Sequence, residues 1–147
     1  MNTITFSRIE HNSHLYFPCV ILRYEVLRKP LGLVFTSDQL ADEKHEIHLL
    51  GTLDTTPVCC LQFRVIDEST VQMRQVAVAE SLQNTGIGRA LVEYSESVAR
   101  DEFFSEIILH ARETAVQFYL KLGYEVYGEP FTEVGIPHRN MKKFLHN

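Results

Sequence analysis

The chain has 147 residues, of which 45% are hydrophobic and 22% charged, with a formal net charge of -5. These are the proportions of an ordinary soluble globular domain, long enough to bury roughly two-thirds of the surface its unfolded chain exposes, and the acidic balance argues against a nucleic-acid partner, which requires a basic face. No apolar stretch approaches the ~20 residues of a membrane span, and the N-terminus Met-Asn-Thr-Ile-Thr-Phe-Ser-Arg has no signal-peptide core.

Residues 1–147 are expected to form a single domain without repeats or linkers. Thr3 to Ile9 alternates polar and apolar residues and reads as an edge strand. Asn12 or Ser13 is placed to cap a helix in which Leu15, Cys19, Leu22 and Val26 recur at helical spacing. Pro30 and Gly32 end that helix, and Leu31 to Gln39 reads as loop or a short turn. Ile47–Leu53 and Val58–Val65 are strands joined by a turn at Asp54-Thr55-Thr56-Pro57, hence a hairpin. Cys59 and Cys60 lie in its second strand. With Cys19 they make no disulfide framework, so a cytoplasmic, reducing location is expected.

Val71–Val78 is the next strand. A helix from Gly86 to about Asp101 buries Ile87, Leu91, Tyr94 and Val98. Glu106–His110 is a short strand around Ile107-Ile108-Leu109. Thr114 is placed to cap a helix that stops at Gly123, a residue suited to a left-handed terminus. Tyr124–Tyr127 and His138–Leu145 close the chain as strands. A meander followed by helix-separated strands gives a mixed α/β sheet.

The segment Gln83-Asn84-Thr85-Gly86-Ile87-Gly88-Arg89 lies between the strand Val76-Ala77-Val78 and the helix. A strand that turns through two glycines into a helix can aim several backbone N–H groups at one point. That point attracts anions, because the helix N-terminus carries about half a positive charge and unpaired donors. Gln-x-x-Gly-x-Gly is neither the dinucleotide pattern nor the P-loop.

A second segment, Ala115-Val116-Gln117-Phe118-Tyr119-Leu120-Lys121-Leu122-Gly123-Tyr124, follows about thirty residues later. Together the two resemble the GNAT superfamily of acyl-CoA-dependent N-acetyltransferases, over roughly Asp42 to Leu145. Leu109-His110-Ala111 and the tail Phe131 to His138, with Met141, resemble its ElaA/YjcF-type branch more narrowly. The resemblance implies a GNAT-type fold, an α/β arrangement with a mostly antiparallel central sheet, splayed strands and flanking helices. It implies acetyl-CoA as co-substrate. Gln83, Asn84, Thr85, Gly86, Ile87, Gly88 and Arg89 then hold the pyrophosphate. Val76, Ala77 and Val78 form a bulged strand whose backbone meets the pantetheine arm, with the Val78 N–H facing the thioester carbonyl. Phe118 and Tyr119 border the arm.

Tyr119 is the residue expected to protonate the departing thiolate. A phenol has a pKa of about 10 and a thiol about 8.5, so at neutral pH the proton is there to give. An alkyl amine has a pKa of about 10.4 and needs a base before it attacks. Glu46, His48, Glu133 and His138 are the candidate bases. His110 and Glu46 are candidate contacts to the acceptor, a primary amine of a small molecule or peptide. His48, His110 and His138 lie in or beside predicted strands and suggest a polar pocket at strand ends. Their spacing shows no metal site. An acyl-cysteine route through Cys59 or Cys60 is not expected. The alternative is a non-catalytic acyl-CoA-binding regulatory module, which needs the glycine loop but not Tyr119. A monomer or homodimer, without nucleic acid or membrane, completes the expectation.

Overall fold

The computed structural model describes residues 3–146, which divide into two compact units. One comprises the chain up to Arg64 together with Gln75–Ser95. The other comprises Val65–Arg74 and the chain from Glu96 onward. Among the described residues seven strands form one mixed sheet in the order β1-β2-β3-β4-β5-β7-β6.

In the first unit β1 (Ile4–Ile9), β2 (Ile47–Leu53) and β3 (Thr56–Val65) run antiparallel, with Leu50 opposite Cys60 and Arg8 opposite Leu49. The β2–β3 turn is tighter than its four-residue signal. Asp54 takes a left-handed φ of 58°, which an aspartate tolerates, and Thr56 and Pro57 already belong to β3. The first helix, α1 (Tyr16–Arg23), starts later than its polar residues suggest. Asn12 sits at φ 66°, outside the helix, and the cap position is Leu15, with no side-chain cap bond. The helix runs on through a π turn (Tyr24–Arg28) and a 3-10 turn (Lys29–Leu31) and stops at left-handed Gly32. Its periodicity is used as expected: Leu15, Cys19, Leu22 and Val26 pack in one cluster with Leu50, Cys60 and Ala77.

Leu31–Gln39 is not all loop. Thr36 opens a five-residue helix, α2 (Ser37–Ala41), through reciprocal bonds between Thr36 and Gln39. So short a helix offers no apolar period to read.

β4 (Thr70–Val78) pairs in parallel with β5 (Glu106–Arg112) from Thr70–Glu106 to Met73–Leu109, and β4 continues beyond that register. Gln75 has a φ of 55°, which interrupts a regular strand. After β4 comes a short 3-10 turn, Glu80–Leu82, and then α3 (Ile87–Asp101). Its fully buried positions are Leu91, Val92, Ser95, Glu96 and Ala99, whereas Ile87, Tyr94 and Val98 are half-buried. Polar Glu96 is sealed by partners: the Tyr124 hydroxyl donates to it at 3.0 Å and Lys143 Nζ at 3.0 Å.

In the second unit β5, β7 (Ile136–Phe144) and β6 (Glu125–Glu133) are antiparallel neighbours in that order. The β6–β7 hairpin is longer than the sequence signals, and Phe131–His138 lies inside it. Val134 and Gly135, at φ 46° and 75°, make the tight turn. Between β5 and β6, α4 (Val116–Lys121) follows a 3-10 turn, Glu113–Ala115; Thr114 lies in that turn and does not cap the helix. Gly123, at φ 93°, ends it as expected. Among the described residues no helix is long and apolar enough to cross a membrane.

Candidate functional site

The glycine loop is exposed from Gln83 to Gly86. Two left-handed residues shape it, Asn84 at φ 63° and Gly86 at φ 89°. The Gln83 amide does not point outward. It donates to the Val78 carbonyl at 3.1 Å and folds the loop back on the end of β4. The Thr85 hydroxyl donates to Leu82 in the same way. A Cβ built on Gly86 would meet no atom within 4 Å, so open space stands above that backbone. The first helical bond runs from Ala90 N–H to the Gly86 carbonyl. The N–H groups of Ile87, Gly88 and Arg89 precede it, and an α-helix leaves such groups without intrahelical acceptors. Arg89 is exposed and pairs with Glu93 at 3.5 Å. Of the preceding strand, Ala77 is buried and Val76 and Val78 are half-buried.

In the second unit the sheet register gathers the ionisable residues of the tail. His138 on β7 lies opposite both Arg112 on β5 and Phe131 on β6. Strand alternation puts His110, two residues before Arg112, on the same face. The result is a carboxylate between two imidazoles. His110 Nδ1–H donates to Glu133 Oε1 at 2.9 Å. His138 Nε2 lies 3.6 Å from Glu133 Oε2. The other nitrogen of His138 donates to the Ile136 carbonyl at 2.7 Å. Phe131 backs both rings, with its centroid 5.0 Å from His110 and 5.7 Å from His138. His138 is buried, whereas His110 and Glu133 are open to solvent.

The hydrogen bonds fix the tautomers. With its Nδ1 proton held by Glu133, a neutral His110 carries its lone pair on Nε2. That is the arrangement of an oriented general base.

His48 and Glu46 belong to a different cluster, in the first unit. His48 is buried, and its Nε2–H donates to the Glu43 carbonyl at 2.9 Å. Burial lowers its pKa. Glu46 accepts from Gln62 at 3.0 Å and from Arg64 at 3.3 Å. Glu43 itself takes a bidentate pair from buried Arg23 at 2.8 and 2.6 Å and a bond from the Tyr16 hydroxyl at 2.8 Å. Burial works against the Glu43 charge, but these bonds hold its pKa below the ordinary value. Glu46 is thus tied to β3, and His48 to the Glu43 framework that joins α1 to the turn before β2. Arg23, which the sequence offers only as one charge on an amphipathic helix, is its centre.

Tyr119 is buried on α4, its ring edge-on to Phe118 at 5.0 Å and to Tyr124 at 5.6 Å. Burial pushes its phenol pKa up, so the proton is held at neutral pH. Phe118 is exposed. Among the described residues no group of three or more His, Cys, Asp or Glu is arranged to hold a metal ion.

Phe131 and Ile136 were read from the sequence only as parts of the tail segment, with no contact assigned to either. The signal for both is Gly135, which marks the hairpin that brings them to His138.

Comparison with known proteins fits this geometry. The sequence model of a family described as the acetyltransferase (GNAT) domain matches residues 38–145. The N-acetyltransferase YjcF of Bacillus subtilis, itself uncharacterized, is 33% identical over 107 residues, covering 72% of this chain and 74% of that protein. Two further Bacillus subtilis relatives, one named as an acetyltransferase and the other YyaT, are 30% and 28% identical over 96 residues; the chain spans 65% and 64% of their lengths. Among solved structures, Escherichia coli ElaA superposes with a TM-score of 0.81 at 21% identity, over 96% of this chain and 99% of that one. An aminoglycoside 6'-N-acetyltransferase solved with coenzyme A superposes with a TM-score of 0.81 at 16% identity, over 97% and 98%.

Proposed function

Because the chain belongs to the GNAT acetyltransferase family, and to its ElaA/YjcF-type branch, we propose that it transfers an acetyl group from acetyl-CoA to a primary amine of a small molecule or peptide by direct attack. The coenzyme pyrophosphate binds over Gly86, where the backbone is open, and at the first N–H groups of α3. One N–H of the Gln83 amide holds the loop to Val78, and the amide carries a second N–H for the phosphate. The Val76–Val78 backbone meets the pantetheine arm, and the Val78 N–H takes the oxyanion of the tetrahedral intermediate. A donor of that kind is worth about 3–4 kcal/mol.

His110 is the general base. Its Nε2 takes the proton from the acceptor ammonium, directly or through water, and Glu133 stabilises the imidazolium that forms. His138, in its imidazolium form, is a positioning residue whose Nε2–H faces Glu133. The buried Tyr119 phenol donates its proton toward the leaving thiolate. Glu46 and His48 have no part in this chemistry.

The observation that carries this reading is the His110–Glu133 pair, at 2.9 Å on an accessible face. A module that only binds acyl-CoA needs the glycine loop but no oriented base. The test is a screen of amines, polyamines, amino sugars and peptide N-termini with acetyl-CoA, reading release of free thiol. Thiol release that depends on both an amine and His110 supports the reading. Binding of acetyl-CoA without thiol release on any acceptor class would leave a binding module instead.

A further inference from the structure

Three cysteines lie in the first unit, all buried and all unbridged. They are not equivalent. Cys19 on α1 and Cys60 on β3 pack together in one apolar cluster and line one small cavity, with Arg23 in its wall. The two thiols lie close enough there for each to act on the other's ionisation. Cys59 follows the strand alternation to the other face of β3. It sits over Gly51, its Sγ 2.6 Å from where a Cβ on that glycine would stand. Cys59 is completely buried, whereas Cys19 retains 6% exposure, the most of the three.

Arg23 supplies the charge. It is 2% exposed, and although burial works against its charge, the Glu43 pair keeps it ionised. Its Nε is buried with no hydrogen-bond partner among the described residues, so the guanidinium keeps a spare donor in this wall. Interaction with Cys60 lowers the Cys19 thiol pKa, burial opposes that, and the Arg23 charge lowers it further, while Cys60 is raised in turn. Burial pushes Cys59 up to about 11. Thiolate character and access are what make a cysteine reactive toward oxidants.

The structure assigns Cys19 and Cys60 as a peroxide-sensitive thiol pair, with Cys19 the attacking sulfur and Cys60 the resolving one. The Cys19 thiolate attacks one peroxide oxygen. An S–O bond forms, the O–O bond breaks, and the leaving hydroxide takes a proton to become water. The Cys60 sulfur then attacks the Cys19 sulfenic acid. The S–S bond forms, the S–O bond breaks, and the oxygen leaves as a second water with the Cys60 proton. Two thiols are oxidised and one peroxide is reduced to two waters.

The experiment treats the folded full chain with equimolar hydrogen peroxide, quenches, alkylates under denaturing conditions, and reads intact mass and a peptide map. The parent is expected to lose the mass of two hydrogens, with one cross-link between the Cys19 and Cys60 peptides and a free Cys59, all reversed by a thiol reductant. Cys60→Ala should stop at the sulfenic acid, captured on Cys19 by dimedone. Cys59→Ala should behave as the parent. Circular dichroism checks the fold of each variant, and the parent's peptide map decides the matter even where a variant fails to fold. A cross-link or dimedone adduct on Cys59 would overturn the assignment. So would three free thiols in the folded protein at a peroxide level that oxidises the denatured chain.

Discussion

His110 and Glu133 stand 23 residues apart in the chain and meet at 2.9 Å, Nδ1 to Oε1. β7, which carries His138, is the neighbour of both β5 and β6 and brings them within reach. Because the carboxylate holds one ring nitrogen as a donor, the other is left as the acceptor. His110→Ala should lower kcat/KM by ~10²–10⁴-fold on an acceptor found by the amine screen, the usual worth of a general base. The ascending limb of the pH–rate profile should flatten in the same variant. Glu133→Gln keeps an acceptor oxygen but loses the charge, so it should lower the rate by less and move that limb. Acetyl-CoA affinity, read by calorimetry, should not change in either. A parent-like pH profile in His110→Ala would remove His110 from the chemistry.

Tyr119→Phe keeps the ring against Phe118 and Tyr124 and removes the proton. Turnover should fall by ~10²–10⁴-fold while coenzyme affinity barely moves. Steady-state kinetics within about twofold of the parent would leave Tyr119 as a packing residue, since a general acid contributes far more than that.

Gly86→Val should raise the Kd for acetyl-CoA steeply with the fold retained. The Cβ of the new side chain meets no protein atom within 4 Å beyond its chain neighbours, so it enters the space assigned to phosphate oxygens. Its backbone cost, about 1–3 kcal/mol for a branched residue at a left-handed φ, is local to an exposed loop. Unchanged calorimetric affinity in a folded variant would reject the pyrophosphate assignment.

Glu43→Gln should cost about 3–5 kcal/mol of stability at neutral pH, the range for stranding one partner of a buried ion pair. It leaves Arg23 buried beside a neutral amide. Urea unfolding followed by circular dichroism measures the loss. A change below about 1 kcal/mol would mean that Arg23 finds other partners or reaches water.

Stability should fall in mild acid through His48. Its pKa is lowered in the folded state, first by burial. The unfolded chain therefore binds more protons between the folded value and about 6.5, and in that window ΔG of unfolding rises with pH. The stability is whole above about pH 6.5 and is lost as pH falls toward the folded value. Glu43, also lowered, adds its loss at lower pH, as pH falls through its own folded value. His48→Gln should flatten the upper part of the decline and leave the lower part. Parallel curves for variant and parent would assign the upper loss to another group.

Elements whose signal is local were legible in the sequence. The Leu15–Cys19–Leu22–Val26 stripe, the stop at Gly123 and the β2–β3 hairpin each depend on side chains within a few residues of one another. Caps were less legible. Asn12, Ser13 and Thr114 have the chemistry to cap a helix, but the backbone enters each helix later, at Leu15 and Ala115. The glycine loop was readable as a motif, yet the turning of Gln83 back to Val78 was not, because glutamine serves either a phosphate or a carbonyl.

The candidate base could not be chosen among Glu46, His48, Glu133 and His138 from sequence, nor His110 seen as more than an acceptor contact. Strand alternation tells which residues share a face but not which strand lies alongside. Only the placement of β7 between β5 and β6 joins His110 to Glu133. Only the packing of α1 on β3 separates Cys60 from Cys59, and only the burial of Arg23 turns Glu43 and His48 into framework. What the sequence determined is set by bonds between near neighbours in the chain. What tertiary structure decided is which distant side chains meet, and the partner each one meets is what gives an imidazole, a thiol or a guanidinium its chemistry.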